Sequence, residues 1–338
     1  MSELRMVALG GGHGLAASLQ ALRHLSENIT AVVTVADDGG SSGRLRDEFD
    51  ILPPGDLRMA LASLCEDTSW GRQWSSVLQH RLGGSGELSG HALGNLLLMS
   101  LWELTDEPVK GLDVAGRLLN IRGRVLPMST VPLKIEAEVE REARTEDGGL
   151  GADVITVHGQ SSVARSKGRV KAVSLWPSEP PTCDEAAEAI TLADWVILGP
   201  GSWFTSVMPH LLVPGIRQAL EATPAQKILT LNVGSHDKET RGFSMAEHVE
   251  AMRSHAPGLT FDYVIADPGV VTTGEAALRE ACESVGAQLV VSEVSKLRAQ
   301  GQHDTLRLAA AFRDVMSHPS SSSEPPLRLG ADTRTLRR

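Results

Sequence analysis

The sequence is poor in cysteine. Cys65, Cys183 and Cys282 lie far apart with no CxxC spacing. That argues against a disulfide framework and a cysteine-rich zinc site, and leaves the three as small apolar residues of a reducing compartment. Positive charge is also short: 32 Lys and Arg stand against 42 Asp and Glu, for a net charge of −10. A general nucleic-acid binder, or a binder of anionic membranes, needs the opposite balance. Neither nucleic acid nor membrane is therefore an expected partner, although a local basic pocket for one phosphate stays compatible. No apolar run approaches the ~18 residues of a membrane span, and no charged-then-apolar leader opens the chain. A cytoplasmic protein is expected. With 338 residues, 41% of them hydrophobic, the chain can bury a sizeable core.

What is present is concentrated in one stretch, Val35 to Arg58, VADDGGSSGRLRDEFDILPPGDLR. It follows an apolar β-branched run, Ile29–Val35, and sets two carboxylates, Asp37 and Asp38, before a glycine and serine loop with Gly39, Ser41 and Ser42. Arg44 comes next, and Pro53-Pro54-Gly55-Asp56 with Arg58 opens a helix. Backbone N–H groups, hydroxyls and guanidinium together suit an anionic ligand. A long solvated loop would use many of the same turn residues.

Three further stretches share this character. Arg5–Leu9 is a short apolar run that ends in Gly10-Gly11-Gly12-His13-Gly14, after which Leu15, Leu19 and Leu22 recur at helical spacing. Strand, glycine turn and helix open a Rossmann-like unit, although the third glycine comes one residue earlier than in GxGxxG. Trp195–Leu198 reads as a buried strand running into Gly199-Pro200-Gly201-Ser202, with a helix over Ser202–Leu212 that Ser202 can cap. His91 and Asn95 are polar residues on an otherwise apolar helix, so they need partners in the core or in a pocket. Lys227–Leu231 is another apolar strand, and it ends in Asn232.

Four predicted strands thus end at Gly10, Asp37, Gly199 and Asn232. In an open parallel sheet such ends lie along one edge, where ligands bind at the switch point. The expected fold is α/β: a Rossmann-like, doubly wound, mostly parallel sheet. Residues 1–318 form one domain with a β-rich insertion over 122–181, and the Ser/Pro-rich then Arg-rich tail 319–338 is expected to be disordered.

The segments GGGHGL (10–15), VTVADDGGSSGRLR (33–46), PPGDLR (53–58), HALGNLLL (91–98) and LGPGSWFTSVMPHLLVPGI (198–216), with the run from Asn232 to His248, resemble the YvcK-type gluconeogenesis factor family. That family is related to the phospholactate transferases of coenzyme F420 synthesis. The resemblance covers roughly residues 5–315; Met59, Ala92, Trp203-Phe204 and Gly234-Ser235-His236 depart from the commoner pattern. It implies a central nucleotide cleft, UDP-sugar binding, and a regulatory role in carbon metabolism and cell shape. In the transferase relatives an acidic residue after the second strand helps to hold a divalent metal, and Asp37 and Asp38 occupy that region.

On this reading Gly11, Gly12, His13 and Gly14 take one part of the ligand, and Gly199, Gly201 and Ser202, with Thr205 beside them, take a phosphate. Asp37 and Asp38 would hold a hydroxyl or Mg²⁺; being adjacent in an extended segment, only one of them should face the ligand. Gly39, Ser41, Ser42, Asp56, His91, Asn95 and Asn232 complete the expected site, with Arg44 and Arg58 supplying charge to the diphosphate. No residue is assigned to catalysis. The alternative function is a Mg²⁺-dependent phosphotransferase resembling 2-phospho-L-lactate transferase; a dehydrogenase ranks third. A homo-oligomer and regulatory protein partners are compatible with either reading.

Overall fold

The computed structural model describes residues 3–144, 150–234, 239–272, 274–297, 301–317 and 328–329. The chain opens with β1 (Met6–Gly10), turns into α1 (Gly12–Leu22) and returns as β2 (Ile29–Val33). Five helices follow: α2 (Gly40–Phe49), α3 (Pro54–Leu64), α4 (Ser69–Gln79), α5 (Leu93–Thr105) and α6 (Pro108–Leu119). Then come β3 (Arg124–Pro127), β4 (Lys134–Arg144), β5 (Leu150–His158) and β6 (Arg169–Trp176). The second half contributes β7 (Trp195–Leu198), β8 (Gln226–Thr230), β9 (Tyr263–Ala266) and β10 (Gln288–Ser292), with helices between them.

The main sheet runs β10-β9-β8-β7-β1-β2-β3, with every pair parallel. Its central strands read MVALG and WVIL and are buried at every position. That is the pattern of strands covered on both faces, where no polar side can be tolerated. β4, β5 and β6 form a separate antiparallel sheet. β6 alternates buried and exposed residues along most of its length, as a strand wet on one face must. The expected α/β, Rossmann-like, mostly parallel architecture is the one observed.

Two boundaries differ from the sequence reading. Arg124–Pro127, read as part of the insertion, pairs with β2 as the edge strand of the main sheet, so the separate sheet begins at Lys134. The glycine and serine segment after Asp38, read as a long loop, starts α2 at Gly40. Burial of Leu45 and Arg46 on one face holds this helix despite its glycines. The tail lies outside the described residues except for Arg328–Leu329, which add a short parallel strand beside β10.

Among the described residues no helix is long and apolar enough to cross a membrane. All three cysteines are free and buried. Burial pushes Cys65 up to about 11 and Cys183 and Cys282 up to about 12, which keeps these thiols inert.

Candidate functional site

From β1 the chain steps to β2 and β3 on one side, whereas β7 on the other side leads out to β10. The strand order therefore reverses between β1 and β7. Both strands end in a glycine turn at this place, and a cleft of about 620 Å³ opens over them. Gly11, Gly12, His13 and Gly14 line it from the first turn, and Gly201 and Ser202 from the second. The turns touch each other: a β-carbon on Gly14 would collide with the Pro200 carbonyl. Only glycine allows that approach.

Asn232, just past β8, locks the second turn. Its Oδ1 accepts from the Gly201 N–H at 3.0 Å and its Nδ2 donates to the Gly201 carbonyl at 2.9 Å. Gly199 sits below the cleft, its carbonyl accepting from the Ser18 hydroxyl at 2.8 Å. The helix expected from Ser202 is instead a π-helical turn, Trp203–Val207, followed by a 3₁₀ turn, Met208–Leu212. The Ser202 side chain does not cap it. The opening of that turn is bound by a protein carboxylate: Glu239, almost fully buried, accepts from the Phe204 N–H at 3.0 Å and from the Thr205 hydroxyl. Thr205 is thereby committed to the interior.

Two carboxylates line the cleft, Asp37 and Asp56. Asp37 accepts from the Gly39 N–H at 2.9 Å and from the Ser42 hydroxyl, yet burial outweighs these bonds and raises its proton affinity. Asp56, in the first turn of α3, accepts from the Gly12 N–H. Burial, then the charge of Asp37, push it up to about 7. Asp38 points elsewhere. Its Oδ1 accepts from the Ser161 N–H at 2.8 Å and so ties the segment after β5 to the main sheet. The expectation that only one of the adjacent pair faces the cleft matches this geometry: Asp37 lines it and Asp38 does not.

The remaining expected residues form a buried network beside the cleft. Arg58 Nε donates to Asn95 Oδ1 at 2.8 Å, and its Nη1 to Gln79 Oε1. Asn95 Nδ2 donates to Ser41 Oγ at 2.9 Å, and Ser41 Oγ meets His91 Nδ1 at 3.0 Å. His91 and Asn95 are thus core residues with partners, and this network fixes α2, α3 and α5 to one another. Burial, then the nearby charge of Arg81, lower Arg58 to about 10. Arg44 donates to the carbonyls of Glu87 at 3.2 Å and Ser89 at 2.8 Å, pinning the loop before α5. Neither arginine lines the cleft.

The sequence reading missed Gln160, Lys296 and His303, which do line it. His303 Nε2 donates to the Leu231 carbonyl at 3.2 Å, since a carbonyl can only accept, and burial lowers the ring to about 4 and keeps it neutral. Among the described residues no group of three or more His, Cys, Asp or Glu could hold a metal ion. Ser235 and His236 lie outside the described residues.

A parallel sheet with paired glycine turns and carboxylates at its reversal point defines a Rossmann-like α/β protein with its cleft at the switch point. The chain belongs to the 2-phospho-L-lactate transferase CofD family, whose model matches residues 6–305. It is 48% identical over 327 residues to a Mycobacterium tuberculosis protein provisionally named a gluconeogenesis factor, covering 95% of this chain and 93% of that one. It is 33% identical to the gluconeogenesis factor of Bacillus subtilis over 92% of this chain and 98% of that one. A crystal structure of a UPF0052 family protein from Bacillus halodurans superposes with a TM-score of 0.79 at 34% identity, over 93% of this chain and 99% of that chain.

Proposed function

We propose that the cleft binds a UDP-sugar and that the protein is a cytoplasmic regulator acting in carbon metabolism and the control of cell shape. The observation that carries this reading is the meeting of the β1 and β7 glycine turns over the sheet's reversal point. Loop N–H groups, hydroxyls and carboxylates there suit a diphosphate flanked by two hydroxyl-rich sugars. The naming of relatives as gluconeogenesis factors supports a role in carbon metabolism.

The second reading is a Mg²⁺-dependent phosphotransferase, and the Asp37 and Asp56 pair favours it. Their oxygens fit a hard cation such as Mg²⁺, which takes one or two carboxylates together with ligand phosphates. Bound there, the ion would neutralise phosphate charge. Calorimetric titration with UDP-glucose, with and without Mg²⁺, followed by product analysis, separates the two. Metal-independent binding without turnover is expected. Binding only with Mg²⁺, together with consumption of the nucleotide, would establish the transferase.

A further inference from the structure

A diphosphate in this cleft meets two carboxylates, Asp37 and Asp56, and needs positive charge to offset them. The arginines of the organising stretch cannot supply it from where they are. Arg44 is spent on the carbonyls of Glu87 and Ser89, and Arg58 on Asn95 and Gln79. Arg46 is buried and donates to the Leu133 carbonyl at 2.7 Å. The glycine turns are also partly committed, with the Gly12 N–H on Asp56 and the Gly201 N–H on Asn232.

One described cation remains on the wall. Lys296 is the only lysine or arginine among the described residues that line the cleft. It is exposed, and its ammonium meets Gln302 Oε1, a neutral partner, at 3.2 Å. Its backbone is held firmly. Asp267 Oδ2 accepts from the Val294 and Ser295 N–H groups, both at 2.9 Å. The Lys296 N–H donates to the Gln302 carbonyl at 2.9 Å, and Asp304 N–H to Val294 at 2.8 Å. The side chain is thus a point charge with one neutral partner on a fixed base, as a phosphate-binding lysine requires.

We propose that Lys296 is the cation that holds the diphosphate of the ligand. The inference rests on the UDP-sugar reading above and adds the specificity: the site selects ligands by their second phosphate. UDP and UDP-sugars bind through Lys296, whereas UMP gains little from it.

The test is calorimetric titration of the wild-type chain, Lys296→Ala and Lys296→Arg with UDP-glucose, UDP, UMP and inorganic pyrophosphate. Lys296→Ala is expected to weaken UDP, UDP-glucose and pyrophosphate roughly ten- to a hundredfold, the range of one charge-assisted hydrogen bond. UMP should change by less than about threefold, and Lys296→Arg should keep most of the affinity, as a second cation in the same place. The melting temperature of Lys296→Ala should match wild type, because the exposed ammonium has only one side-chain partner. UDP-glucose affinity unchanged in Lys296→Ala would overturn the inference while leaving the cleft's ligand class intact. A wild-type chain that binds none of the four probes would overturn both.

Discussion

Asn232 clasps Gly201 on both sides, accepting from its N–H at 3.0 Å and donating to its carbonyl at 2.9 Å. One side chain at the end of β8 therefore sets the backbone of the turn after β7. Asn232→Ala should destabilise the protein by about 1–3 kcal/mol, since two partly buried backbone groups lose their partner. Asn232→Asp should do the same, because an ionised carboxylate can still accept from the N–H but faces the carbonyl without a proton to give. Urea unfolding of both variants checks this; a wild-type midpoint in either would show that the turn holds without the clasp.

Arg58 carries a structural prediction. Its guanidinium links Asn95 and Gln79, and it is almost fully buried. Arg58→Ala should lower stability by about 2–4 kcal/mol through the lost network and its orphaned amides. Ligand affinity of the fraction that stays folded should change little. A variant that melts like wild type but binds UDP-glucose poorly would return Arg58 to the ligand.

The Asp56 carboxyl gives a pH dependence of definite sign. Burial and Asp37 raise it from 3.8 to about 7 in the folded protein. Between about pH 4 and 7 the folded state thus keeps a proton that the unfolded state has released. Its contribution to stability is complete below about pH 4, declines as pH rises, and is gone above about 7. Asp56→Asn keeps the acceptor for Gly12 and removes the titration. Urea midpoints at several pH values should fall less steeply over this window in Asp56→Asn than in wild type; parallel curves would refute the assignment.

Gly14 tests the contact between the two turns. A β-carbon there would strike the Pro200 carbonyl and the Gly201 backbone, neither of which can swing aside as a side chain can. Gly14→Ala should cost about 1–3 kcal/mol and should weaken ligand binding as the turns separate. Thermal melts and titration read both effects, and an unchanged variant would mean the turns are free to part.

Much of this was legible in the sequence because buried parallel strands announce themselves. MVALG, ITAVV and WVIL have no polar face, and each leads to glycine or acid at its carboxyl end. Strand-end logic then brought Gly11 to Gly14, Asp37, Gly201 and Asn232 into one cleft. Side-chain direction was less legible. Nothing in PPGDLR says whether its arginine reaches a ligand or an asparagine 37 residues away. The helical start at Gly40 was hidden by glycines whose low propensity is overcome by the burial of Leu45 and Arg46. Lys296 lies in an irregular segment and Gln160 opens a helix of only four residues, Gln160–Val163, too short to show periodicity, so only the folded chain shows that they reach the site. Glu239 stands far in sequence from the turn it satisfies, and no local pattern marks a carboxylate that replaces an external anion.

The proposed diphosphate-sugar site lies where the two glycine turns meet. Thermal melts of the full chain with UDP-glucose and with NAD, each at the same concentration, test it most directly. Ligand at ~100 times its dissociation constant adds about 2.7 kcal/mol of stability, so UDP-glucose should raise the melting temperature by several degrees and NAD by much less. Equal or greater stabilisation by NAD would contradict the account.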